Sequence, residues 1–123
     1  MKEALWVGLG GFLGANARYF LGVWAAARFG TTFPYGTFII NTSGSFILGL
    51  IMGTLEGHVL SPVVRWSMAI GFVGAYTTFS TWTYETLRLI ENGSWLLAAA
   101  NVFGSALVGM AAVIGGVAMG RAL

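Results

Sequence analysis

The sequence has no cysteine in 123 residues. That excludes a disulfide framework, a thiolate nucleophile and a thiolate metal site. The single histidine, His58, falls in a predicted loop, so the chain offers no imidazole metal site either. Charge is scarce: six Lys and Arg and four Asp and Glu make 8% of the chain, against roughly 25% in soluble proteins. The net charge of +2 is small and scattered, whereas a nucleic-acid binder needs a basic patch. The two prolines, Pro34 and Pro62, each stand just ahead of a predicted helix, where proline does least harm. What is present is apolar: 57% hydrophobic residues and a mean hydropathy of +0.81. Too little polar material remains to cover a soluble globule. The chain therefore reads as an all-α integral membrane protein, a single domain over residues 1–123.

Four apolar segments are each close to the roughly 20 residues a helix needs to cross a bilayer. They run from Ala4 to Ala27, Tyr35 to Leu55, Val63 to Leu87 and Trp95 to Met119. Arg28–Pro34, Glu56–Pro62 and Arg88–Ser94 connect them. Lys2 before an apolar run resembles the start of a signal peptide, but Asn16 and Arg18 interrupt that run, and a retained first helix is expected. Gly10 and Gly14, and the row Gly49, Gly53 and Gly57, are spaced by four. Such rows let helix backbones approach closely in lipid. With four spans, Lys2, Arg65 and Arg121 share one side, and Arg18, Arg28 and Arg88 belong to the other. Since the Lys/Arg bias sets orientation, three against three permits insertion both ways round. An antiparallel, dual-topology homodimer is the expected assembly.

The third segment holds the least lipid-compatible stretch, Gly71-Phe-Val-Gly-Ala-Tyr-Thr-Thr-Phe-Ser-Thr-Trp-Thr-Tyr-Glu85. Glycine and β-branched threonine are poor helix formers, so a break is expected over Gly74–Thr78. Interrupted backbone survives in a membrane only when buried in protein or lining a polar cavity. Carbonyls freed by such a break can coordinate monovalent cations. Polar residues recur elsewhere at one-face spacing: Thr37, Asn41 and Ser45 in the second helix, and Asn101, Ser105 and Gly109 in the fourth. Intramembrane polar groups are functional candidates by default, and the plainer alternative is helix-to-helix hydrogen bonding. Phe79 and Trp82 lie on one helical face after the break, either as packing or as ring edges presented to an anion. Asn, Ser and Thr hydroxyls and amides can stabilise an anion without trapping it, the balance conduction requires. Arg18 reads as a structural charge, and Glu85 as either structural or vestibular.

These residues carry a resemblance. The stretches Gly10-Gly-Phe-Leu-Gly-Ala-Asn-Ala-Arg18-Tyr19, Gly36-Thr37-Phe-Ile-Ile-Asn41 and Gly74-Ala-Tyr-Thr-Thr-Phe-Ser-Thr-Trp82 with Glu85 resemble the Fluc (CrcB) fluoride channels, over essentially the whole chain. The resemblance implies passive, fluoride-selective export across a bacterial-type plasma membrane, two pores per antiparallel dimer, and a central structural sodium ion. By position it implies Asn41 and Phe79 as pore residues, with Thr37 at a vestibule, Glu85 on the conducting path and Ser105 on the polar track. It places sodium on the Gly74 and Thr77 carbonyls and makes Arg18 the arginine of the first helix. Trp82 stands where a second phenylalanine is usual, Asn101 where an aromatic hydroxyl is typical, and Gly109 where a second serine often sits. The competing reading is a coupled exporter of the small multidrug type, also four short helices. That class uses a carboxylate in its first helix, where this chain has only Glu3 at the start. A structural subunit with no flux is the third reading.

Overall fold

The computed structural model describes residues 1–57 and 61–123, and these form four long helical segments. His58 lies outside the described residues. The first segment is α1 (Lys2–Phe29), which ends at Gly30. There φ is 79°, a backbone region glycine enters without strain, and the Gly30 N–H closes the helix on the Ala26 carbonyl at 2.9 Å. A short connection through Pro34 leads into α2 (Tyr35–Gly57).

The third segment starts as α3 (Pro62–Val64), capped by the Ser61 hydroxyl, which accepts the Val63 N–H at 3.3 Å. It widens into a π-helix, π1 (Arg65–Val73), and returns to α4 (Gly74–Tyr76). Thr77 and Thr78 are extended, with ψ of 158° and 122°, and α5 (Phe79–Glu91) follows. The expected break therefore exists, but it is confined to Thr77 and Thr78. Gly74 keeps helical angles, φ −61° and ψ −35°. A single glycine in a helix costs only about 1 kcal/mol, too little to break it. The two adjacent β-branched residues have, in addition, specific partners for their extended backbone.

The fourth segment is continuous: α6 (Trp95–Ala99), a π-turn π2 (Ala100–Gly104) and α7 (Ser105–Ala122). Among the described residues two helices, Tyr35–Glu56 and Trp95–Ala122, are long and apolar enough to cross a membrane by length and composition. In α1 the interruptions are Asn16 and Arg18, and in the third segment the break itself divides the apolar run.

Packing follows the glycines. α2 lies along α7, and α1 lies along π1. A Cβ at Gly49 or Gly53 would collide with the Val113 or Val117 carbonyl of α7, and one at Gly116 or Gly120 with the Phe46 or Leu50 carbonyl of α2. The glycine row of α2 thus meets a second row on α7, backbone against backbone. Gly10 and Gly14 meet the Ser67 and Phe72 carbonyls in the same way.

Few large side chains are buried: Ile40, Val73, Tyr76 and Leu89 lead the apolar core. The Tyr76 hydroxyl lies 2.8 Å from Ser43 Oγ. Since Ser43 already donates to the Ile39 carbonyl at 2.7 Å, Tyr76 is the donor and pins α4 to α2. Large apolar side chains such as Phe12, Phe20, Phe103 and Leu107 face outward, as a lipid-facing or copy-facing surface requires.

Candidate functional site

The centre of the site is a reciprocal pair between α2 and the break. The Thr78 N–H donates to Asn41 Oδ1 at 2.8 Å, and Asn41 Nδ2 donates to the Thr78 carbonyl at 3.0 Å. One amide side chain therefore holds both polar groups of an extended residue whose N–H has no helical partner. That matters because an unpaired buried backbone group costs about 1–3 kcal/mol. The Thr78 hydroxyl completes the arrangement by capping α5, accepting the Thr81 N–H at 3.3 Å. Gly44, one helical turn after Asn41, has no side chain because Thr77 Cγ2 occupies its place. Asn41 and Gly44 together seat both threonines of the break on α2.

Beside this pair lies a cavity of about 780 Å³ whose lining includes Arg18, Thr37, Thr78, Thr81 and Glu85. Residues of the first connection, Gly30–Pro34, and of the third, Asn92 and Ser94, also line it. The cavity thus sits at the end of the bundle where those two connections meet. Thr37 donates to Glu85 Oε1 at 2.9 Å, while Glu85 Oε2 is buried with no hydrogen-bond partner. Arg18 is half-buried and donates through Nη1 to the Thr77 carbonyl at 3.4 Å. Arg18, Thr37, Thr78 and Glu85, far apart in sequence, line one space, and Asn41 stands behind it, holding the Thr78 backbone.

The other candidates fall into a second group. Phe79 is 75% exposed, and its ring centroid lies 5.3 Å from that of Trp82. Trp82 turns toward the fourth segment, where its indole N–H donates to the Asn101 carbonyl at 3.1 Å. Asn101 is fully buried, and its Nδ2 donates to Thr86 Oγ1 at 2.9 Å. Ser105 reaches Asn101 Oδ1 at 3.5 Å, and Gly109 faces Ser45. Within one chain, the polar stripe of the fourth helix thus faces its neighbours in the bundle. Thr86 bonds back to its own turn, as a lone helical threonine most often does, and in addition accepts from Asn101, a partner that spacing along the chain does not announce.

Residues 5–117 match the family model described as CrcB-like protein, Camphor Resistance (CrcB). The chain belongs to this family. It is 52% identical over 119 residues to a protein of Acidobacterium capsulatum, covering 95% of this chain and 94% of the relative. It is 47% identical over 124 residues to one of Koribacter versatilis, covering 100% and 98%. A Chloroflexus aurantiacus relative is 46% identical over 122 residues, covering 98% and 97%. Each of these relatives bears the name Fluoride-specific ion channel FluC. The family is thus one of membrane ion channels and not of enzymes.

Membership raises the question of a bound cation. Among the described residues no group of three His, Cys, Asp or Glu could hold a metal, so a cation there would rest on neutral oxygens, backbone carbonyls among them. The Gly74 carbonyl suits this role. Its helical partner, the Thr78 N–H, is diverted to Asn41, and Gly74 is exposed. The Thr77 carbonyl has only the long contact from Arg18, which leaves a lone pair for a second partner. The oxygen donors fit a hard monovalent cation.

Proposed function

We propose that this protein is a fluoride-selective passive channel of the plasma membrane, formed as one domain over residues 1–123. The observation that carries the reading is the break at Thr77–Thr78 held by Asn41 beside a cavity into which Arg18, Thr37 and Glu85 are gathered. Irregular backbone at membrane depth belongs where protein or a water-filled path surrounds it. The relatives named as fluoride-specific ion channels supply the ion.

The chemistry suits a small, strongly hydrated anion. Asn41 keeps one amide N–H beyond the one given to Thr78, and the Thr81 and Thr37 hydroxyls lie along the cavity. Arg18 makes the cavity attractive to an anion, and uncharged donors further in let it leave again. Thr37 donates to Glu85 in this structure, so an anion at that depth replaces the carboxylate as its acceptor. Phe79 and Trp82 supply ring edges to the next stretch of the path. Fluoride enters cells as neutral HF, dissociates inside, and is driven out through the channel by a negative membrane potential.

An antiparallel homodimer completes the proposed assembly, with two pores and a central sodium. Ser80, Thr83 and Tyr84 are exposed on α5 beside Phe79. Hydroxyls facing lipid are unfavourable, and a second copy would cover them. Sodium would lie on the Gly74 and Thr77 carbonyls of both copies and neutralise the carbonyl dipoles where the two breaks meet. Fluoride efflux from liposomes holding the purified protein tests the channel. Rapid fluoride release with retention of chloride is expected, and equal release of both anions, or of neither, rejects the reading. Replacing sodium by a large organic cation is expected to shift the purified protein from dimer toward monomer. A dimer equally stable in both salts would remove the central cation.

A further inference from the structure

Trp82, Asn101 and Thr86 close a ring of hydrogen bonds. The Trp82 indole N–H donates to the Asn101 carbonyl at 3.1 Å, the Asn101 amide donates to Thr86 Oγ1 at 2.9 Å, and the Thr86 hydroxyl donates back to the Trp82 carbonyl at 2.8 Å. Asn101 has no solvent exposure. It sits in the π-turn Ala100–Gly104, where its carbonyl also accepts the Ser105 N–H, using both lone pairs. The indole has a single donor, and that donor is already used. The Trp82 ring lies tilted by 42° against Phe79.

We infer that Asn101 and Thr86 are positioning residues that lock the Trp82 indole, and through it set the orientation of the Phe79 ring. This rests on the channel reading above, in which the Phe79–Trp82 pair is one wall of the anion path. Trp82 then presents ring surface to the path, while its N–H serves the lock. Three features argue for a lock over incidental packing. The ring is closed, so breaking any bond orphans a buried group. Its members come from α5 and from the fourth segment, so the ring fixes α5 to π2. Its one large side chain is the one that touches Phe79, with the ring centroids 5.3 Å apart, so within the chain Trp82 is the neighbour against which the Phe79 ring is set.

Thr86→Val keeps the shape of the side chain and removes the hydroxyl, and Thr86→Ser restores it. Full-length protein labelled with ¹⁵N-tryptophan contains five tryptophans, and Trp82→Phe identifies the Trp82 indole signal. In Thr86→Val the indole keeps its own acceptor, the Asn101 main-chain carbonyl, while the Asn101 amide loses its partner. The signal is expected to shift and its deuterium exchange to speed up by about three-fold, less than the roughly ten-fold of a whole lost hydrogen bond. Fluoride efflux is expected to fall by about five-fold, as small misplacements of a functional group do. Thr86→Ser should recover both. An unchanged indole signal in Thr86→Val overturns the lock. A shifted signal with wild-type efflux overturns its role in conduction. If the unmodified protein passes no fluoride, the channel reading and this role fall together, while the indole signal still decides whether the lock exists.

Discussion

Asn41→Asp is expected to abolish fluoride efflux while leaving the protein in the membrane. Two effects act together. An aspartate can still accept the Thr78 N–H, but its second oxygen would face the Thr78 carbonyl where the amide N–H now donates at 3.0 Å. An attraction becomes a repulsion, and the extended backbone loses half of its clamp. The new charge also faces the permeating ion. An uncompensated charge in a partly buried site costs about 3 kcal/mol or more, and a barrier raised by that amount slows passage roughly a hundred-fold. Arg18, the cation that reaches the break, is directed to the Thr77 carbonyl at 3.4 Å. Efflux from liposomes at equal protein load checks the result. A rate within about two-fold of the wild type would remove Asn41 from the path and leave it a purely structural clamp.

Asn41 also shows where reading the sequence stops. Its position on one face with Thr37 and Ser45 was legible from spacing, and so was its cost at membrane depth. Its partner was not. The amide satisfies one extended residue 37 positions away, and nothing in a one-dimensional pattern ties position 41 to position 78. The break was legible as a weakness over Gly74–Thr78, because propensity adds up along a window. Its confinement to Thr77 and Thr78 depends on partners from α2, which propensity does not contain. Trp82 is similar. Its spacing from Phe79 put both rings on one face, yet the destination of its N–H required the fold of the fourth segment. Gly49 and Gly53 announced a close approach, but a row of small residues does not name the row it meets. The facing row, Gly116 and Gly120, lies in a segment with many small residues on every side, where periodicity carries little information.

Gly115 and Gly116 are neighbours in α7, and the same change, to alanine, should act in opposite directions. A Cβ at Gly115 meets nothing within 4 Å. Removing the backbone freedom of glycine in a helix stabilises by about 0.5–1 kcal/mol, so Gly115→Ala should be neutral or slightly favourable. A Cβ at Gly116 would collide with the Phe46 carbonyl and come within 2.8 Å of the Leu50 backbone nitrogen. Backbone atoms cannot turn aside as a flexible side chain can, so α2 and α7 must separate along their length. Overpacking of this kind costs about 1–3 kcal/mol or more. The loss is felt fully because packing, and not apolar burial, drives helix association in lipid. Gly116→Ala should therefore lower the thermal midpoint in detergent by several degrees and reduce the folded yield, and Gly120→Ala should do the same. Equal midpoints for Gly115→Ala and Gly116→Ala would mean that the α2–α7 seam is looser than these backbone distances require.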